Sequence, residues 1–174
     1  MMKGKIDFYL RNGSLVRDKT VVSLANEYLE KARTNLITMN LLADIQDKED
    51  IRKQLEVPET YSTYEWVVIC GYYAMYSAAL ALLAKTGFRS KVHTATLLVL
   101  EEVFVKRRLL DEESFLHLKN AMFHIEEIEK LSDARHKREI AQYSVTKQTT
   151  RAIATKIIKD AYDFIDKCEE IISS

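Results

Sequence analysis

The sequence predicts an all-α fold, an up-and-down bundle of about five helices. Glycine (4) and proline (1) are scarce among the 174 residues, which leaves little turn chemistry for a many-stranded sheet. Several stretches carry apolar residues at spacings of three and four, the period of a helix with one buried face. One further stretch, residues 61–86, is apolar nearly throughout and predicts a central helix that is covered on every side.

Length and charge limit the organisation of the chain. A chain of this size suits a single domain, which we place at residues 21–174 behind an N-terminal arm, residues 1–20. Lys plus Arg (26) equals Asp plus Glu (26), so a protein that coats polyanions through its net charge is not expected. Cys70 and Cys168 lack CxxC spacing, and no secretory-peptide pattern precedes them, which predicts reduced thiols in a cytoplasmic protein.

The N-terminal half begins with two contrasting patterns. In the arm, alternating Ile6, Phe8 and Leu10 are followed by RNGS, a pattern typical of a β-hairpin. From Val21 onward, apolar residues fall on one face of a first helix. The polar run QDKEDIRKQLEVPET then predicts a connector with one short helix, which ends before the proline.

The central helix contains an uncharged run, WVVICGYYAMYSAALALLA, between Glu65 and Lys85. Its length is enough to cross a bilayer. Gly71, Ser77, several tyrosines and many alanines stand where a lipid-facing segment would have Leu and Ile. We therefore predict a buried helix, covered in part by a second subunit.

Three further helices complete the predicted bundle. The third follows GFRSK and ends near Arg108, in a cluster of cations that suits a helix C-terminus. The fourth starts near Asp111, and its apolar stripe stops after Leu131. The last, capped by Thr146, carries a continuous apolar face to the end of the chain.

The stretch DARHKREIAQY follows the point where that stripe stops. On a helix, Arg135, Arg138 and Gln142 fall within about 60° of one another, and His136 and Tyr143 within about 20°. Ion pairs at i,i+4 on a solvated face would explain these charges. A site would explain them too, because guanidiniums beside an imidazole and a phenol bind phosphate and transfer a proton. The pattern alone leaves both readings open.

Three segments resemble the HEPN family (higher eukaryotes and prokaryotes nucleotide-binding), in particular its small stand-alone prokaryotic members. NEYLEKARTNLITMNLLA is similar to the first helix of the family, GYYAMYSAALALLAKTGFRSKVHTATLLVL to its tyrosine-rich central helix and Lys-x-His turn, and KREIAQY to its arginine motif. The resemblance covers residues 25–172. It implies a helical bundle that works as a homodimer, in which two copies of the arginine motif form one cleft.

The arginine motif departs from that of the family's ribonucleases, which carry an arginine and, four to six residues later, a histidine. Arg138 matches the arginine, whereas Tyr143 falls where the histidine would stand. A histidine titrates near pH ~6.5 and takes up a proton, whereas a tyrosine, with a pKa of about 10, mostly donates at neutral pH. His136 is a substitute base, about 10 Å from Tyr143 along a helix, which could meet Arg138 of the other subunit. Whether the arginine motif cleaves RNA therefore stays open.

Other candidates lie outside the arginine motif. His93, beside Lys91 near a helix start, either binds a nucleotide phosphate or fills a helix junction. Tyr72, Tyr73 and Tyr76 either stack on bases or belong to the core or a dimer interface. We predict catalytic roles for Arg138, Tyr143 and His136, and phosphate or RNA contacts for Arg135, Lys137, Gln142, Lys91 and His93.

No metal site or cofactor is predicted. His117 and His124 are seven residues apart, and with Glu113 and Glu127 they do not give the two-histidine spacing of a helical zinc site. The sequence contains no GxGxxG, Walker or GxSxG motif.

Three functions follow from these observations. The leading hypothesis is a cytoplasmic homodimer that binds RNA or a nucleotide phosphate at the dimer cleft, as a metal-independent ribonuclease toxin of a toxin–antitoxin system. The alternative is a non-catalytic interaction module that pairs with a small nucleotidyltransferase, with Tyr143 as an acceptor of nucleotidyl transfer. The third is a purely structural bundle, in which the charges of the arginine motif only face solvent.

Overall fold

The computed structural model describes the backbone of residues 3–138 and 151–174 and the side chains of residues 5–126 and 151–174. Helices dominate this part of the chain, and its sheet has two strands, so the all-α prediction is confirmed. The elements are α1 (Lys3–Arg11), β1 (Leu15–Arg17), a 3₁₀ helix (Lys19–Leu24), α2 (Ala25–Asp47), α3 (Glu49–Gln54), α4 (Tyr64–Lys85), β2 (Phe88–Ser90), α5 (His93–Val99), a π-helical segment (Leu100–Val105), α6 (Glu112–Arg138) and α7 (Arg151–Ser173).

The predicted hairpin in the arm is wrong. Ile6, Phe8 and Leu10 lie in helix α1, and the extended residues that follow are those of β1. Strand β1 pairs antiparallel with the distant β2, with Leu15 opposite Ser90. The apolar alternation therefore belongs to a helix, and the partner of β1 follows some seventy residues later in the chain. Leu15 is almost completely buried, so β1 adds to the core.

Helix α4 forms the centre of the bundle, three residues shorter at its start than predicted. It packs against α2, α6 and α7, and most of its side chains are buried. Among the described residues it is the helix that is long and apolar enough to span a membrane, and 72% of its apolar window is buried inside the protein. This burial is that of a core helix, as the sequence predicts. Trp66 and Tyr73 are nevertheless exposed, so the helix is not covered on every side within one chain.

Close approach of α4 to its neighbours depends on Gly71. A Cβ atom at this position would overlap Cγ2 of Ile157 in α7 and come within 3.1 Å of Sδ of Met39 in α2. The missing side chain therefore lets two helices pack against the same turn of α4. Gly87 has a different role, because its φ of 72° lets the chain turn directly after α4.

The remaining helices follow the predicted order with shifted boundaries. The connector contains the short helix α3, which ends before Pro58 as predicted. The third predicted helix is α5 followed by the π-helical segment, a change of hydrogen-bond pattern that the apolar spacing did not indicate. Asp111 precedes α6 and accepts hydrogen bonds from the backbone nitrogen and hydroxyl of Ser114. The predicted cap at Thr146 lies outside the described residues.

Both cysteines are free thiols. Burial raises the pKa of the Cys70 thiol and raises that of the fully enclosed Cys168 well above its usual range. The thiolate is the reactive form, so neither residue has the environment of a nucleophile.

Candidate functional site

The arginine motif begins on the last turn of α6. The backbone of this helix is described as far as Arg138, whereas the side chains of Arg135, His136, Lys137 and Arg138 lie outside the described part of the chain. Gln142 and Tyr143 lie outside it entirely. The roles predicted for these six residues therefore stay predictions.

His93 lies at the start of α5, where it packs against the middle of α4. Its ring stacks on the ring of Tyr76 with the centroids 4.4 Å apart, and its Nδ1 shares a hydrogen bond with the hydroxyl of Tyr72. Tyr76 in turn lies 3.3 Å, hydroxyl to hydroxyl, from Thr96. These contacts are those of a side chain that fills the junction between two helices. Phosphate binding by His93 stays a prediction.

The three tyrosines of α4 differ in their surroundings. Tyr72 is buried, Tyr76 is half-buried, and Tyr73 remains exposed over 43% of its surface. Burial raises the pKa of the Tyr76 hydroxyl, so it stays protonated at neutral pH. Of the three, Tyr73 is therefore the one with an accessible ring face. Lys91, also predicted to contact phosphate, is exposed just after β2, where its backbone nitrogen donates to the carbonyl of Ser14 at 2.8 Å.

A polar cluster that the sequence did not reveal lies between α6 and α7. Asp160 of α7 is buried, with only 5% of its side chain exposed. One carboxylate oxygen lies 3.3 Å from Nδ1 of His117 on α6, and the other accepts a hydrogen bond from the ammonium group of Lys156. A buried carboxylate needs such partners, because burial without them is costly.

Beside this cluster the two helices form a cavity of about 450 Å³ that is open to solvent on one side. Its walls combine polar and apolar side chains, and the exposed ring of Phe123 lies edge-on to the ring of His124, with the centroids 6.1 Å apart. This space, which we call the α6–α7 groove, is within the size range of small-molecule sites. The lining residues are Asn120, Phe123, His124, Ala152, Ile153, Lys156, Ile157 and Asp160.

A signal for the groove exists in the sequence. Asp160 occupies a position three residues after Ile157 and four before Phe164, on the apolar face of the last helix. An acid at a core position requires a partner, and His117 on the preceding helix provides it. The spacing of the histidines within α6 contains no information on a partner from another helix. Among the described residues, no group of three or more His, Cys, Asp or Glu side chains is arranged to hold a metal ion.

Residues 25–171 match the family model of the HEPN domain. The chain belongs to the HEPN family. It is also 30% identical, over 125 residues, to a UPF0332 protein of Archaeoglobus fulgidus, an alignment that covers 72% of this chain and 86% of that protein. The family resemblance noted in the sequence is thus confirmed. Membership supports a general role as a nucleotide- or RNA-binding module, in a family whose members commonly dimerise.

Proposed function

We propose that this HEPN protein binds RNA or a nucleotide phosphate at a cleft between two copies of the chain. Arg138 is the central phosphate-binding residue, assisted by Arg135, Lys137 and Gln142. The protein works in the cytoplasm, and cleavage of the bound RNA as a metal-independent ribonuclease toxin is the activity that we propose for it.

The observation that carries this proposal is the extent of the family match. It runs through residues 25–171 and includes the whole arginine motif, so the motif is part of the domain and not an appended tail. The backbone supports the same conclusion, because α6 continues seven residues past Leu131, where its apolar stripe stops, to Arg138. The part of a helix that lies beyond its apolar stripe has no face to bury in the core, so it is suited to present charged groups to a ligand.

Cleavage without a metal needs three actions at one phosphate. A base takes the proton of the 2′-hydroxyl, a cation stabilises the charge of the phosphate in the transition state, and an acid protonates the leaving oxygen. Arg138 suits the second action. His136 suits the first if it reaches Arg138 of the other subunit, and Tyr143, a donor at neutral pH, suits the third.

A second candidate function rests on Tyr143, which falls where family ribonucleases have histidine. Without that histidine, the motif could bind phosphate without cleaving RNA. The protein would then be an interaction module that partners a small nucleotidyltransferase, and the hydroxyl of Tyr143 would accept the nucleotidyl group. Co-purification of the tagged protein with a transferase from its host, together with nucleotide labelling that Tyr143→Phe abolishes, would favour this function.

The first function is tested with labelled single-stranded RNA in the presence of a chelator. Wild type, Arg138→Ala and Arg107→Ala are compared for binding and for cleavage; Arg107 is an exposed arginine away from the arginine motif and serves as the control. We expect Arg138→Ala to weaken binding about tenfold or more, because it removes charge-assisted hydrogen bonds to phosphate. Arg107→Ala should bind as the wild type does.

The possible outcomes separate the candidate functions. Cleavage that disappears with Arg138→Ala and with His136→Ala would support a metal-independent ribonuclease. Binding without cleavage would favour the interaction module. Equal binding by all three proteins would contradict a role for the arginine motif, and sedimentation of a monomer at micromolar concentration would contradict the dimer cleft.

A further inference from the structure

The α6–α7 groove contains a charged group that is held in place from two sides. Asp160 lines it, and the contacts of its carboxylate with His117 and Lys156 do not use all of its acceptor capacity. An ionised carboxylate has about four lone-pair sites, so Asp160 can accept a further N–H from a ligand. Because its partners fix the carboxylate, a ligand would meet a preorganised acceptor.

Lys156, the positively charged residue of the groove, uses only part of its hydrogen-bonding capacity in the contact with Asp160. The side chain of Lys156 is 58% exposed, and its ammonium group has three donors, one of which goes to Asp160. The other two are available to an anionic group at the rim. The positive charge of Lys156 also offsets the negative charge of Asp160, so that the groove does not repel an anion.

An aromatic surface lies next to these polar groups. Phe123 is exposed over 57% of its surface although it is a large apolar residue on a helix that buries its neighbours Met122 and Ile125 at least partly. The amide of Asn120 and the imidazole of His124 flank it along the same cavity wall. An exposed ring beside hydrogen-bonding groups is the arrangement on which proteins stack bases.

We propose that the α6–α7 groove binds one nucleotide unit, with its base against Phe123 and its phosphate at Lys156. In this arrangement Asp160 accepts an N–H of the base, and the amide of Asn120 forms a further hydrogen bond to it. The proposal deepens the proposed function and rests on it, because it assigns a base-binding position on the same helix as the arginine motif. The same chemistry suits a free nucleotide and one unit of a single-stranded RNA.

The distance along α6 between the groove and the arginine motif distinguishes these two ligands, the free nucleotide and the RNA strand. His124 and Arg135 are eleven residues apart on one helix, about 16 Å along its axis. A mononucleotide cannot reach both positions, whereas a strand of several nucleotides can. If the groove serves RNA, an oligonucleotide binds more tightly than a mononucleotide, and variants in the groove and in the arginine motif both weaken it.

The test measures binding of adenosine monophosphate and of a single-stranded RNA of about 12 nucleotides. The variants are Phe123→Ala and Lys156→Met; the matched controls are Leu116→Ala, an exposed apolar residue of α6, and Lys159→Met, an exposed lysine of α7. We expect both groove variants to weaken binding about 5- to 20-fold, with the controls within about twofold. Lys156→Arg, which keeps the charge and the contact with Asp160, should restore most of the affinity.

Comparison with Arg138→Ala separates this proposal from the proposed function. If Arg138→Ala weakens RNA binding while Phe123→Ala and Lys156→Met behave as their controls do, the groove proposal is wrong and the arginine motif stands. If the groove variants weaken binding and Arg138→Ala does not, the groove stands and the role of the arginine motif is wrong. Loss of affinity for the monophosphate alone would assign the groove to a free nucleotide. Thermal unfolding shows whether the variants are folded. Phe123→Ala, at an exposed ring, should unfold as the wild type does. Lys156→Met should unfold cooperatively at a lower temperature, because the buried Asp160 loses a partner that Lys156→Arg restores.

Discussion

Helix α4 and the α6–α7 groove represent two ways of using the interior of one bundle. Along α4, most apolar side chains and alanines are buried, Trp66 and Tyr73 being exposed, and small residues let the neighbouring helices come close. Between α6 and α7, a carboxylate, a histidine and a lysine are kept in contact beside a cavity. The first region maximises apolar burial, whereas the second gives up some of that burial to hold polar groups at fixed positions. The difference supports the proposal that α4 serves stability and the α6–α7 groove serves binding.

The largest effect is expected in the first region. Leu82 is completely buried in α4, so Leu82→Ala should lower the free energy of unfolding by about 2–5 kcal/mol through lost burial and a cavity. The control Leu116→Ala, on the exposed face of α6, should change it by about 0.5 kcal/mol or less. Denaturant unfolding of both variants measures the difference. Equal losses would contradict the account of α4 as the packed centre.

A smaller loss is expected where α4 meets α7. Gly71→Ala introduces a Cβ that overlaps Cγ2 of Ile157, and relief of this clash should cost about 1–3 kcal/mol of stability. The double variant Gly71→Ala with Ile157→Ala removes the clashing methyl group. It should therefore lose less stability than the sum of the two single variants. Strict additivity in the same unfolding experiment would show that the two helices do not touch at this position.

In the groove, Asp160→Ala tests the buried polar cluster. The substitution leaves Nδ1 of His117 without its carboxylate partner in a largely buried position, which should cost about 1–3 kcal/mol of stability. Asp166→Ala, at an exposed acid of the same helix, is the control and should be nearly neutral. A neutral Asp160→Ala would mean that the cluster is not a fixed part of the fold.

The smallest effect concerns the start of α6, which carries one wall of the groove. Asp111→Ala removes the helix cap and should cost about 1 kcal/mol, while Asp111→Asn keeps a capping side chain. Burial raises the pKa of Asp111, but the hydrogen bonds from Ser114 outweigh it and lower the pKa below the usual 3.8. The contribution of the charged cap is thus complete above pH 3.8 and is lost as the pH falls through the lower folded pKa. Acid unfolding should show the wild type approaching Asp111→Ala in that range, and a constant difference down to the lowest pH would contradict this.

Most of the helical framework could be predicted because each helix carries its own periodic pattern. The limits of α4 follow from an uncharged run between Glu65 and Lys85, which requires no knowledge of its neighbours. The hairpin predicted in the arm is wrong because Ile6, Phe8 and Leu10 belong to helix α1, and because β1 pairs with β2, a partner some seventy residues later that the local sequence does not indicate. The change to π-helical hydrogen bonds after Val99 likewise has no signature in apolar spacing.

The candidate site was less predictable for the same reason. His117 and Asp160 belong to different helices, and their contact depends on how α6 and α7 pack. The arginine motif was found because it is continuous in sequence and resembles a family motif, which the HEPN match supports. Features confined to one helix are therefore accessible to sequence reasoning, whereas features shared by two helices require the fold.

The most direct test of the central claim is a backbone amide NMR titration of the protein with single-stranded RNA. We expect chemical shift changes along α6 from Asn120 to Arg138 and in the first turns of α7, with little change in the buried segment of α4 around Leu82. RNA binding that perturbs only other surfaces, such as the region of β1 and β2, would contradict the account.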